Sequence, residues 1–214
     1  NESDFGEDYI PHGHTGISRW LINKGGSSRW QIMPFYRDVK SFRQEVGQEA
    51  LKAFWAAYRV LSPTSASGSL ASTQLIGQWK SSRVAKMEDL NWYLAFRGYS
   101  FIVKARANLS QANPCCLDMS YTVTLAKQYN FDKGNTFGSL PLPQGSNLQR
   151  LHATGLARNY FIWGKISTNK PVTACFTKSG AMRLTDVIKL SEDLSASWQE
   201  DGSDLGFMVG PYDD

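Results

Sequence analysis

Two stretches, 99–109 and 117–126, constrain the fold more than any other part of the chain. In the first, Tyr99, Phe101, Val103, Ala105, Ala107 and Leu109 alternate with Ser100, Lys104, Arg106 and Asn108, and only Ile102 breaks the pattern. In the second, Tyr121, Val123 and Leu125 alternate with Thr122, Thr124 and Ala126. A period of two gives each strand one buried and one polar face. The Gln-Ala-Asn-Pro-Cys-Cys run between them turns the chain, so the strands are predicted to pair antiparallel. A sheet of this kind keeps one face wet and needs a cover for the other.

The cover comes from helices. Over 41–61, Phe42, Val46, Ala50, Phe54, Tyr58 and Leu61 recur at spacings of four and three, and Leu51 and Trp55 widen the stripe. Ser41 with Gln44 fits a capping box. Burying Phe42, Val46, Phe54 and Leu61 contributes roughly 1.5–3 kcal/mol each, which outweighs about 1 kcal/mol for Gly47. Further helices are predicted over 82–97, closed by Gly98, over 146–158 from Ser146 with a loosening at Gly155, and over 184–198 through Val187, Leu190, Leu194 and Trp198. A hairpin is predicted over 17–33 about Asn23–Gly26, two more strands over 159–167 and 171–178, and a loop over 62–73. Helices and strands do not alternate strictly. The expected class is therefore α+β, an antiparallel sheet with helices packed mainly on one face. Residues 1–16 read as a flexible polar segment and 17–214 as a single domain.

Composition narrows function by exclusion. The chain is 42% hydrophobic, 13% aromatic and 20% charged, with a net charge of +4. Its basic residues are spread out rather than clustered, so no nucleic-acid partner is expected. No apolar run approaches the length of a membrane span, and this segment carries no signal-peptide pattern. The chain begins at Asn1, which reads as a piece cut from a longer protein. Cys115, Cys116 and Cys175 give no CxxC spacing. They read as free thiols in a reducing compartment, with a bridge from Cys175 to either neighbour as the alternative. No cofactor and no metal is expected. GxSxG, HExxH, the P-loop and GxGxxG are all absent, and His12 with His14 offers only two ligands.

The candidate site lies where the second long strand changes character. After Ala126 come Lys127, Gln128, Tyr129, Asn130, Phe131, Asp132, Lys133 and Gly134. A strand leaving the sheet with these side chains delivers polar groups to its edge, and the helix predicted next carries His152 and Arg158. Tyr129, Asp132, His152 and Arg158 are the expected catalytic set. The competing reading is a capped strand end, with Tyr129 and Phe131 over the core and Asn130 and Asp132 bonding the turn. A nucleophilic Cys115 or Cys116 with His152 fits less well, because a strand-to-strand turn does not lower a thiol pKa as a helix N-terminus does.

Over 92–167, the aromatic helix, the Gly-led strand, "YTVTLAKQYNFDKG" and "LQRLHATGLARNYFIWGKIS" together resemble the C-terminal domains of bacterial polymorphic and type VI secretion-associated toxins. More distantly they resemble the colicin M group, which cleaves a lipid-linked peptidoglycan precursor with an Asp-x-Tyr-Asp motif and a nearby His or Arg. Lys127 stands where the first acid would fall and Asn130 replaces the second, so that motif is not intact. The resemblance implies an antibacterial effector, secreted or delivered into a target cell. It would act on the envelope or a lipid-linked substrate and travel with a cognate immunity protein. Whether the domain is catalytic at all stays open. The alternative, drawn from the missing motifs and the aromatic surplus, is a non-catalytic binding or adaptor domain of a larger secreted protein.

Overall fold

The computed structural model describes residues 18, 26–61, 72–110, 115–129, 154–156, 158, 160–175 and 192–201. Among these, the helices α1 (Met33–Asp38), α2 (Lys40–Leu61) and α3 (Leu90–Phe96) accompany eight strands of one sheet. The strands are β1 (Ser27–Arg29), β2 (Ser72–Ile76), β3 (Lys80–Arg83), β4 (Gly98–Leu109), β5 (Cys116–Tyr129), β6 (Tyr160–Thr168), β7 (Val172–Cys175) and β8 (Trp198–Glu200). The order is β1-β6-β5-β4-β2. β4 and β5 pair antiparallel without a slip from Ser100↔Ala126 to Leu109↔Leu117, as their alternation predicts.

Interrupted strands flank this central pair. β2 and β3 both run along β4, and the turn of the ladder falls at Gly77, whose N–H donates to the Val103 carbonyl at 2.9 Å. A Cβ at Gly77 would stand 2.7 Å from that oxygen, so the close approach needs glycine. On the other side β6 and β7 both run along β5, with their register offset by two residues. β1 and β8 share the outer edge of β6, β1 parallel and β8 antiparallel.

The helices cover one face of the sheet. From α2, Phe42, Val46, Ala50, Phe54, Ala57 and Leu61 are buried against the odd-numbered residues of β4 and β5, from Tyr99 and Phe101 through Tyr121, Val123 and Leu125. Phe35 of α1 sits among Phe42, Trp92, Phe96 and Tyr99, with ring centroids 4.8–5.2 Å apart. Such tilted and edge-on aromatic packing adds about 0.5–1.5 kcal/mol per pair beyond burial.

Several expectations need correction. The second half of the hairpin expected over 17–33 is placed as the strand from Ser27. It pairs parallel to β6, with the Phe161 N–H donating to Gly26 and the Trp30 N–H to Trp163, and the chain enters α1 at Met33. Residues 19–25 lie outside the described residues. Ser72 and Thr73, expected in a loop, open β2. The helix expected over 82–97 begins only at Leu90, because Lys80–Arg83 is taken up as β3 and Asp89 caps the Trp92 N–H at 2.8 Å. At its end the positive φ of 34° falls on Arg97 rather than on Gly98. Ser41 does not form a local capping box. Its N–H and hydroxyl both donate to the Glu88 carboxylate, 47 residues on. Residues 154–156 form a turn and bend, as expected of a segment loosening at Gly155, while 146–153 lie outside the described residues; the helical run ending at 197 gives way to β8 at Trp198.

The cysteine reading is also corrected. Cys116 and Cys175 are register partners on β5 and β7 and form a disulfide, in which Cys115 takes no part. The pairing of β5 with β7 brings together two thiols 59 residues apart, which spacing could not reveal.

Candidate functional site

β5 runs three residues beyond its expected end and carries Lys127, Gln128 and Tyr129 to the far end of the sheet. There Tyr129 is opposite Tyr160 of β6. Arg158, two residues before Tyr160, is exposed. The β5–β6 register thus brings the backbones of Tyr129 and Arg158 to one end of the sheet. Asp132 and His152 lie outside the described residues, as do His12 and His14.

Lys127 occupies the same end. It follows Leu125 on the helix-covered face, and its Nζ donates to the Gly98 carbonyl at 3.0 Å. Burial, and secondarily the charge of Arg97, push its pKa down to about 8 from the ordinary lysine value of 10.5. A lysine in this range exchanges protons near neutral pH, which a solvated lysine does not do. The sequence already placed Lys127 in the polar patch. Its contact with the start of β4 was not visible there, because it depends on the register.

The second feature is the sheet face that the described helices leave uncovered. Lys104 and Arg106 project there from β4, and Lys165 from β6, with the β5 residues between them. Lys165 is 8% exposed and its register partner Thr124 1%. These side chains and Gln74, Ser120 and Thr122 line a depression of about 210 Å³. Arg29 lies over the ring of Trp163, 5.5 Å from its centroid, within cation–π range. Alternation predicted the polar side of β4, but Lys165 comes from 59 residues further along the chain and was not singled out.

Among the described residues no group of three His, Cys, Asp or Glu could hold a metal ion, and no helix is long and apolar enough to cross a membrane. No family model and no curated protein matches the chain. Among solved structures it is similar to that of PaeM, a colicin M-like bacteriocin produced by Pseudomonas aeruginosa, with 14% identity and a TM-score of 0.42. The likeness covers 83% of this chain and 58% of the bacteriocin, so the chain spans under two thirds of that protein's length.

Proposed function

We propose that the chain is an antibacterial toxin domain that works outside the cytoplasm, on the envelope of a target bacterium. In this reading Tyr129, Asp132, His152 and Arg158 form its reacting group, and a cognate immunity protein is its partner. The observation that carries it is the register at the end of β5, where Tyr129 meets Tyr160 and Arg158 is two residues away along β6. Two of the four residues thereby share one sheet end, and Asp132 is three residues beyond Tyr129 in sequence. The Cys116–Cys175 bridge supports an oxidising place of action, since disulfides persist there and are reduced in the cytosol. The resemblance over 92–167 points the same way. An adaptor wants a contiguous apolar surface. Among the described residues, the exposed large apolar side chains Trp55, Ile76, Met87 and Leu156 come one each from α2, β2 and two separate turns.

Expression in a bacterial host with and without a periplasmic leader tests the reading. Growth arrest is expected only with the leader, and normal growth in both compartments overturns it. Asp132→Asn should abolish the arrest while changing stability by no more than about 0.5 kcal/mol. Undiminished killing by that variant would remove Asp132 from the reacting group.

A further inference from the structure

We propose that Cys175 is a thiol-exchange site, where a small thiol of the glutathione class attacks and opens the Cys116–Cys175 bridge from the β7 side. The two half-cystines are register partners, yet their surroundings differ. Cys116 opens β5 and is 2% exposed. Cys175 closes β7 and is exposed. It also lines a cleft of about 500 Å³. One wall of the cleft is the 169–171 turn with Val172 and Thr173, and the other is the helical run over 192–197. The Asn169 N–H joins the two walls by donating to the Ser197 carbonyl at 2.8 Å. A space of that size admits a tripeptide thiol. The site rests on the bridge and its surroundings, and holds whether or not the domain is a toxin.

The incoming group is a thiolate. Its sulfur bonds to Cys175 Sγ as the S–S bond breaks, and the electron pair leaves on Cys116 Sγ, which takes a proton from water. A second thiol attacks the mixed disulfide and expels Cys175 as its thiolate. Two small thiols thereby become one disulfide, and the bridge becomes two thiols. Leaving-group chemistry alone favours the opposite direction, because a thiolate on exposed Cys175 is better solvated than one on buried Cys116. Access decides against it. Attack runs in line with the S–S bond, and Cys116, at 2% exposure, leaves no path for an incoming sulfur. Charge selects neither direction. Lys170 and Asp193 line the cleft with opposite signs, and Asp118, beside the bridge in the register, accepts from Thr173. Exchange at Cys175 leaves β7 without its covalent tie, held to β5 by four register pairs and the Thr173–Asp118 bond.

Mapping the mixed disulfide tests the proposal. The Cys115→Ser chain, which keeps the bridge, is treated with reduced glutathione under native conditions, quenched with acid and digested for peptide mass mapping. Glutathione is expected on Cys175 in at least tenfold excess over Cys116, and the preference should vanish when the reaction is run in denaturing urea. Equal labelling of the two under native conditions, or a preference for Cys116, overturns the proposal. So does a bridge that forms no mixed disulfide until it is unfolded, and so does a preference that survives in urea, since the fold would not be its cause. A second measurement uses single thiols. Adding Cys116→Ser to Cys115→Ser leaves Cys175, and adding Cys175→Ser instead leaves Cys116. Oxidised glutathione should label Cys175 at least tenfold faster than Cys116, and equal or reversed rates count against the site. Circular dichroism checks that both variants fold; where one does not, the map of the bridged chain decides.

Discussion

At the scale of single residues, Lys127 and Gly164 show how position overrides residue type. Below pH of about 8, Lys127 is charged in both the folded and the unfolded chain, and the fold bears the full cost of its burial. From about 8 toward 10.5 the unfolded chain keeps the proton while the folded one gives it up, so stability rises with pH over that window. The gain is at most about 1.4 kcal/mol per pH unit. Buried Tyr99 and Tyr121, whose phenols are raised by burial, oppose this above pH 10. Urea denaturation at pH 7, 8, 9 and 10 should therefore show the parent gaining on Lys127→Met between pH 8 and 10. A constant difference would disprove the depressed pKa. Gly164 faces the core of β6, where a Cβ would run into the Trp30 carbonyl and meet Ile32 Cγ2 at 2.5 Å. Gly164→Ala should cost roughly 1–3 kcal/mol. Gly47 lies inside α2, with nothing within 4 Å of where a Cβ would stand. It should respond oppositely, with Gly47→Ala gaining about 0.5–1 kcal/mol. Denaturant midpoints with unchanged slopes would check both.

At the scale of elements, the structure is tied together by contacts distant in sequence. α1 starts where Glu200, next to the end of the described chain, accepts from the Ile32 and Met33 N–H groups at 3.1 and 2.9 Å. That places a carboxylate at the positive end of a helix. α2 starts at Glu88 in the same manner. The disulfide does this covalently for β7, a strand of only four residues. With 59 residues between its cysteines, the bridge should stabilise by roughly 4 kcal/mol in the chain-entropy account. Reductant, or Cys116→Ser with Cys175→Ser, should lower unfolding free energy by about that amount. Cys115→Ser keeps the bridge and should keep the sensitivity to reductant. A parent chain that unfolds at the same denaturant concentration with and without reductant would show that the bridge contributes nothing.

At the scale of the whole molecule, the fold is a mostly antiparallel sheet with an aromatic helical layer on one face and a polar, cation-bearing face opposite. The class, the β4–β5 pair and the stripe of α2 follow from the sequence by itself, because their signals are local. A period of two or of three to four is set by side chains a few residues apart, and burial of one face rewards it wherever the chain goes. What the tertiary structure alone decided is the set of partnerships between distant segments. β1 lies parallel to β6, β3 takes up the first two residues of an expected helix, and Cys116 finds Cys175. For the candidate site, Tyr129 was legible as the end of a strand, but its alignment with Tyr160 beside Arg158 was not. The cations Lys104, Arg106 and Lys165 look dispersed along the chain and are gathered by register. Strand pairing is a long-range choice made by backbone hydrogen bonding and by competition among all the strands for partners, and no local pattern encodes that outcome.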